Sequence, residues 1–148
     1  MCGADVPAGQ ACNTLAKLGA AITPTCATGT APVGTGGVIA DGTYVLTSET
    51  MYEAGCTSPF PVSETITIAG DCVQLVFGDI VSGTGSTRLT FQGNSIAFTN
   101  TCQHVDTDGA VSQPNTAAQT YTATATTFTL FTVRASTGGT HVAVFTKR

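Results

Sequence analysis

Hydrophobic and polar residues alternate with a period of two along most of the chain. Around Ile66 and Ile68, for example, each isoleucine stands between polar or small residues, the pattern of a strand with one buried face. Eight such segments follow one another, and tight polar turns such as Gly93-Asn94 separate most of them. The predicted strands are Thr43–Tyr52, Glu64–Ala69, Cys72–Phe77, Thr87–Gln92, Ser95–Thr101, Gln119–Ala125, Thr127–Arg134 and Thr140–Lys147.

Eight short strands in simple succession favour an all-β fold, an eight-stranded antiparallel up-and-down barrel. Threonine and other β-branched residues suit a pleated, half-buried surface. Closure would also remove the exposed sheet edges, which a chain with so few lysines cannot protect with charge. A β-sandwich is the alternative, because the sequence does not state which strands are neighbours.

The first 37 residues follow a different pattern. Residues 5–18 predict a short helix, with a cap, a first-turn proline and an apolar face supplied by Asp5, Pro7, Ala11, Leu15 and Leu18. Prolines and the run Gly34-Thr35-Gly36-Gly37 make residues 20–37 irregular. We therefore expect an N-terminal helix and a disulfide-closed, extended arm in residues 1–37, and the barrel in residues 38–148.

The amino-acid composition argues against several classes of protein. Apolar residues make up 42% of the 148 residues, enough for a core, whereas charged residues make up only 9%. The chain contains 29 threonines and 17 glycines, which argues against a coiled coil or a helical bundle. Its net charge of −4 argues against nucleic-acid binding, because phosphates require a cationic face.

Six cysteines in such a chain indicate an oxidising compartment, so we expect an extracytoplasmic protein with disulfides. No pair has the C-x-x-C spacing of a zinc site, and six cysteines allow 15 connectivities. The arm suggests Cys12–Cys26. The strand order brings Cys56 and Cys102 to one rim of the barrel, which leaves Cys72 to pair with Cys2 or to stay free.

The start of the chain has neither the charged nor the apolar segment of a signal peptide. We expect that a signal was removed and that the mature chain begins at Cys2. This cysteine would then carry either a lipid, as in lipid-anchored bacterial proteins, or an ordinary disulfide. The chain also lacks a run of about 18 apolar residues, so the lipid is the only membrane attachment that we expect.

The segment Gly42-Thr43-Tyr44 resembles the Gly-x-Trp motif that opens the first strand of lipocalin-like (calycin-type) proteins, with Tyr44 in the tryptophan position. In that family a basic residue of the last strand lies across the aromatic ring. The resemblance implies that Lys147 or Arg148 makes this cation–π contact. It also implies a lipocalin-like barrel, and the N-terminal part resembles that of secreted or lipid-anchored bacterial proteins.

Alternation predicts which side chains face the interior of the barrel. Fifteen large residues, Val142 and Val144 among them, would point inward and fill most of it, leaving at best a shallow pocket. The residues expected to contact an apolar ligand there are Tyr44, Leu46, Phe77, Phe91, Phe98, Tyr121 and Phe128.

The same alternation predicts an apolar patch on the outer wall, formed by Val45, Phe131, Val133 and Phe145. A soluble monomer rarely leaves such a patch open. We expect Leu15, Leu18 and Ile22 of the N-terminal helix and arm to cover it, and the protein to be a monomer.

Candidate catalytic chemistry is sparse. Glu49 and Glu53 stand four residues apart on one strand face, which favours a solvated surface over an acid and base pair. His104 and His141 are expected to face solvent or to be hydrogen-bonded. Residues 104–115 partly resemble an EF-hand calcium loop but begin with His and end with Asn, so a plain turn is favoured. We predict no catalytic residue, no metal site and no cofactor.

The function expected from the sequence is an extracytoplasmic, non-enzymatic binding module for an apolar small molecule or a protein partner. The alternative is a structural or interaction protein of the cell surface, with a filled barrel and no ligand. A cavity above about 300 Å³ with an apolar lining would favour the binding module.

Overall fold

A computed structural model describes residues 2, 6, 9–57, 60–78, 81–106 and 119–148. Within this described part the protein is all-β, with nine strands in one sheet and no helix. The strands are β1 (Thr25–Cys26), β2 (Gly42–Tyr52), β3 (Ser63–Ala69), β4 (Cys72–Gly78), β5 (Gly83–Gln92), β6 (Ser95–Val105), β7 (Gln119–Ala123), β8 (Thr127–Val133) and β9 (Thr140–Lys147).

The strands from β2 to β9 form a ring of hydrogen-bonded neighbours. Each pairs antiparallel with the next strand in sequence, and β9 pairs with β2. The short β1 adds to β2 in parallel. The predicted all-β fold with eight strands paired in sequence order is confirmed, although β5 begins earlier and β6 ends later than predicted. The turns Gly70-Asp71 and Gly93-Asn94 lie where the sequence predicted them.

A β-bulge at Thr47 changes which side chains of β2 face inward. The register between β2 and β9 shifts between Leu46 and Ser48. Thr47 is the extra residue at this shift, and its hydroxyl contacts Thr146 Oγ1 at 2.9 Å. Because the side-chain period of a strand is two, one extra residue moves the next inward position from an even to an odd number. Leu46 therefore faces the interior before the bulge, and Glu49 faces it after the bulge.

The core occupies the half of the ring in which β2 begins. Three ring contacts run through it: Phe91 with Tyr121 at 5.4 Å, Tyr121 with Phe128 at 6.4 Å, and Phe128 with Phe145 at 5.8 Å between centroids. Its buried members are Tyr44, Leu46, Ile66, Ile68, Val73, Leu89, Ile96, Tyr121, Phe128 and Phe145.

The prediction for the two faces of β9 is wrong. Phe145 belongs to the core and Ala143 packs against it, so Val142 and Val144 lie on the opposite face. The register explains the difference, because Phe145 pairs directly with Phe128, which points inward. Both faces of β9 carry apolar side chains, so its own sequence does not show which face is buried. The pairing of β9 with its neighbouring strands decides this.

The predicted N-terminal helix is not supported. Of its residues, Asp5 and Pro7 lie outside the described part, and residues 11–18 contain no helix. The arm runs extended across the outside of the ring, because its polar groups bond to the strands. Asn13 donates from Nδ2 to the Leu75 and Gly85 carbonyls at 3.1 and 2.8 Å.

The end of this arm partly covers the predicted outer patch. Val45 is only 4% exposed, and Gly19 packs on it. Phe131 is buried as well, but Phe145 is absent from the patch because it faces inward. Leu18, which was expected to cover the patch, is 51% exposed. Its contact with the ring is made by the backbone amide, which donates to the Thr65 hydroxyl.

The disulfides are Cys2–Cys72, Cys12–Cys102 and Cys26–Cys56. The first is one of the predicted alternatives and is confirmed, whereas the predicted Cys12–Cys26 and Cys56–Cys102 pairs are wrong. The extended arm explains the change, because it carries Cys12 to β6 and lays Cys26 beside the end of β2. Three disulfides within the chain are compatible with an oxidising environment.

The second half of the arm completes the wall beside β7. In the described residues β6 and β7 share one register pair, Ser95 with Thr120. Gly36 donates from its backbone to the Tyr121 carbonyl at 2.7 Å. A Cβ at Gly34 would overlap the Tyr121 backbone, so the close approach requires glycine there.

The end of the arm and the residues that lead from it into β2 also bind two aromatic core residues at one end of the ring, which we call the aromatic end. The Tyr44 hydroxyl donates to the Ala40 carbonyl at 2.6 Å, and the Tyr121 hydroxyl donates to the Gly37 carbonyl at 2.9 Å. Both buried hydroxyls therefore have partners. Because β2 starts here, its last residues lie at the opposite end of the ring.

Candidate functional site: carboxylates and a histidine inside the ring

Four titratable side chains meet inside the end of the ring opposite the aromatic end. They are Glu49 on β2 and Glu53 just after it, Glu64 on β3, and His141 on β9. Glu64 shares the face of Ile66 and Ile68, which belong to the core, and therefore points inward. We call this group the polar end.

His141 lies between two carboxylates. Its Nδ1 donates to Glu49 Oε1 at 2.9 Å, and its Nε2 donates to Glu53 Oε1. Both ring nitrogens act as donors when the imidazole is protonated, so the pair of contacts fits an imidazolium. The three side chains keep only 15 to 17% of their surface exposed.

The electrostatics of this group follow from these contacts. The hydrogen bond to Glu49 raises the pKa of His141, and the bond to Glu53 adds to the rise, while burial opposes it. The bond from His141 lowers the pKa of Glu53 below its usual range, against the effect of burial. The two shifts together favour a charged His141 beside an ionised Glu53.

Glu64 differs from the other two glutamates. Burial and then the nearby Glu49 carboxylate raise its pKa to about 7. The residue is partly buried and keeps some exposed surface. Over the ranges that the structure describes, the Glu64 carboxyl has no hydrogen-bond partner. No hydrogen bond therefore offsets the cost of burying its charge.

Apolar side chains flank the polar end. Phe77 is the register partner of Glu64, and Met51 is the register partner of His141. Side chains of such pairs lie next to each other on one face of a sheet. From the loop between β8 and β9, Arg134 acts electrostatically on both His141 and Glu53.

Six of the seven predicted ligand residues lie in the aromatic core or contact it. Tyr44, Leu46, Tyr121 and Phe128 are buried in the aromatic core, and Phe98 packs against it. Phe91 is 47% exposed although its ring edge contacts Tyr121. The seventh, Phe77, is the register partner of Glu64 and stands beside the polar end.

The expectation of a solvated Glu49 and Glu53 face is wrong, since both side chains are largely buried against His141. The two glutamates do share one strand face, as their spacing indicates. What the sequence did not reveal is the bulge at Thr47, which turns that face inward. His141 is hydrogen-bonded, as expected.

The contact implied by the lipocalin resemblance is present at the aromatic end. The Lys147 ammonium lies 6.0 Å from the centre of the Tyr44 ring. A Cβ at Gly42 would overlap Lys147 Cε, so glycine at this position lets the lysine cross the ring. The motif residues therefore explain one another physically.

The described residues contain neither a candidate metal centre nor a helix that could span a membrane. No group of three or more His, Cys, Asp and Glu residues there is arranged to hold a metal ion. His104 pairs with Asp106 at 3.3 Å, while the rest of the calcium-loop alternative, residues 107–115, lies outside the described part. The described residues also include no helix of the length and apolarity needed to cross a membrane.

A depression of about 380 Å³ lies on the outer face of the ring, beside the Cys2–Cys72 disulfide. An exposed ion pair, Arg88 with Asp71 at 3.2 Å, crosses it. Both side chains are more than half exposed, so the pair contributes little energy. This depression is separate from the polar end, which lies inside the ring.

Comparisons with protein-family models, with curated proteins and with solved structures find no match. Function must therefore be argued from the geometry. Inside the ring, a well-packed aromatic half adjoins a half that holds three carboxyls, one imidazole and flanking apolar side chains. Such a group can bind a polar or charged ligand, or exchange protons with it.

Proposed function

We propose that the protein is a non-enzymatic binding module that acts outside the cytoplasm. In this proposal the ring is a small lipocalin-like β-barrel, and its polar end receives a small molecule. The observation that carries the proposal is the largely buried cluster of Glu49, Glu53, Glu64 and His141 inside the ring. Buried charge is costly, and a protein that needed only a stable block would gain by filling this space with apolar residues.

The ligand we propose is small and amphipathic. Aromatic side chains fill the other half of the ring, which agrees with the expectation of a mostly filled interior. An apolar part of the ligand would contact Phe77 and Met51 instead, with its polar part on the carboxylates. Protein partners are not required by this geometry, and we propose a monomer.

The disulfides support the proposed location. All six cysteines are paired within the chain, and a reducing cytoplasm would not maintain these bonds. The Cys2 sulfur bonds to Cys72, and the same atom cannot also form the thioether of a lipid. The disulfide therefore supports a secreted form over a lipid-anchored one.

Native mass spectrometry of the protein purified from its own source tests this proposal. We expect a non-covalent small molecule that is lost on denaturation, together with the mass deficit of three disulfides. A covalent lipid on Cys2 would refute the secreted form. A homogeneous protein that carries no small molecule, even after gentle purification, would refute the binding function.

The second candidate is a structural or interaction protein of the cell surface. The contacting Tyr121, Phe128 and Phe145 rings favour it, because they make a well-packed block without any ligand. The same mass spectrum separates the two functions, since a structural block is expected to leave its source without a bound molecule.

A further inference from the structure

The pairing of β2 with β3 covers only part of their length. Over the described residues, β2 pairs with β3 from Gly42 to Val45 and not beyond, whereas β2 itself continues along β9 to Tyr52. Val62, immediately before β3, bonds to the arm instead of to β2. The two strands therefore part toward the polar end, and we call the gap between them the seam.

Residues 18–27 of the arm, which we call the strap, cross this seam. On the β3 side, Ile22 and Val62 exchange two backbone hydrogen bonds of 2.8 Å. On the β2 side, β1 pairs in parallel with the end of β2, and the Ala27 amide donates to the Met51 carbonyl at 2.9 Å. The Ile22 side chain packs against the core. The strap thus supplies the part of the wall that β2 and β3 leave open.

The strap is fixed at its end and on both flanks. Before it, the Cys12–Cys102 disulfide joins the arm to β6. At its end, the Cys26–Cys56 disulfide joins β1 to the loop that follows β2. Beyond it, residues 34–36 hydrogen-bond to β7. Cleavage of Cys26–Cys56 would therefore free the strap while both flanks stay attached, so that the strap can return.

The disulfide of the strap is the one most open to attack. Cys26 is exposed, whereas Cys2 and Cys12, which belong to the other two disulfides, are only 8% and 5% exposed. Thiol–disulfide exchange requires a thiolate to reach a sulfur atom, so exposure governs which bond reacts first. Side chains add little resistance to release, because Leu18 and both residues of β1 are exposed and bury little apolar surface.

We propose that the strap is a redox-controlled gate in the wall of the ring. A dithiol reductant cleaves Cys26–Cys56, the strap leaves the seam, and the interior opens beside the polar end. The opening lies there because Gly19 of the strap lies against the Glu64 backbone, and the Thr25 hydroxyl donates to the Glu49 carbonyl at 3.5 Å. The inference concerns the wall alone and goes beyond the proposed binding function.

The exchange balances with the dithiol as the only reductant. One thiolate of the dithiol attacks the Cys26 sulfur, forms a mixed disulfide with it and expels Cys56 as a thiolate, which takes up a proton. The second thiol of the reductant then attacks the reductant's own sulfur in the mixed disulfide and releases Cys26. The reductant is left as a disulfide, and the two electrons and two protons that it has lost reside in the two cysteine thiols.

Limited reduction of the folded, oxidised chain tests the first step. Dithiothreitol is added in small excess, free thiols are trapped with N-ethylmaleimide, and the labelled cysteines are identified by peptide mapping. We expect Cys26 and Cys56 to be labelled about tenfold faster than the remaining cysteines. Earlier cleavage of another disulfide, such as Cys2–Cys72 beside the outer depression, or equal rates at all of them would overturn the proposal.

Hydrogen exchange measures the second step on two samples. One is wild-type protein in which only Cys26–Cys56 has been reduced and labelled, and the other is the Cys26→Ser/Cys56→Ser variant. In both we expect the Ile22 and Val62 amides to exchange about tenfold faster than in the oxidised chain, because their hydrogen bonds join the strap to the wall. Amides of β6 should keep their rates. If the variant does not fold, the reduced wild-type sample decides.

The matched control is the Cys2→Ser/Cys72→Ser variant, which removes a disulfide from the outer face and leaves the strap locked. Its Ile22 and Val62 amides should exchange as in wild type. Unchanged exchange of these two amides after cleavage of the strap disulfide would mean that the strap stays in the seam. Equal acceleration throughout the sheet would mean that this disulfide is a general staple. Either result refutes the gate.

Chemical modification of the two histidines shows whether the interior opens. Diethyl pyrocarbonate should modify His141, whose side chain lies inside the ring and is 15% exposed, several-fold faster once Cys26–Cys56 is cleaved. His104 lies on β6, away from the seam, and should keep its rate as an internal control. An unchanged rate at His141 would refute the opening, while the native mass spectrum decides the binding function independently.

Discussion

Replacing Glu64 by Gln should stabilise the protein at pH 8 and change its stability little at pH 4. Folding raises the pKa of this carboxyl from 4.5 to about 7, so the folded state binds the proton more strongly than the unfolded state does. The favourable contribution is complete below pH 4.5 and is lost as the pH rises through about 7. Glutamine resembles the protonated carboxyl and avoids this loss.

The magnitude follows from the same values. The difference between 4.5 and about 7, at about 1.4 kcal/mol for each pH unit, corresponds to about 3 kcal/mol at pH 8. Contributions of His141 and Glu53 are common to both proteins and cancel to first order when the two are compared at one pH. We therefore expect a gain in the free energy of unfolding of up to about 3 kcal/mol.

Guanidinium unfolding of the oxidised protein provides the measurement. The chain has no tryptophan, so circular dichroism or tyrosine fluorescence would follow the transition at pH 4, 6 and 8. Asp71→Asn is the matched control, because that carboxyl is more than half exposed and its loss should cost less than about 0.5 kcal/mol. An equal difference between Glu64→Gln and wild type at pH 4 and pH 8 would refute the reasoning.

Two further substitutions test the core. Thr87→Val should be neutral or should stabilise by about 1 kcal/mol in urea unfolding, because the buried Thr87 hydroxyl has no partner in the described chain; a clear loss would mean that it has one. Phe145→Ala should cost about 3 to 5 kcal/mol in the same assay, because the side chain stacks on Phe128 inside the ring. Val144→Ala is its control on the opposite face, and an equal cost for both would contradict the observed facing of β9.

Local patterns were sufficient to predict eight of the nine strands in the described residues, all except β1. Alternation over five to ten residues reflects the pleat of the backbone itself, so β3, β4 and β9 begin and end within a residue or so of the prediction. Glycine turns between the strands are equally local, and short links make sequence neighbours pair. For this reason the sequence predicts an all-β fold paired in sequence order.

Long-range pairing decided the rest. Alternation defines two faces of a strand but does not say which one is buried, and on β9 the register with Phe128 turned Phe145 inward. The N-terminal helix had a capping signal, yet hydrogen bonds from Asn13 to two strands hold the arm extended. The disulfides then follow the path of the arm.

The candidate site shows the same division. The sequence places Glu49 and Glu53 on one strand face and His141 on another strand, but it contains no local signal that joins them. A single bulge at Thr47 turns the glutamates inward, and pairing of β2 with β9 brings His141 between them. The residue types determine which chemistry is available. The strand register and the bulge depend on contacts between residues that are distant in sequence, and they decide that these side chains are buried together.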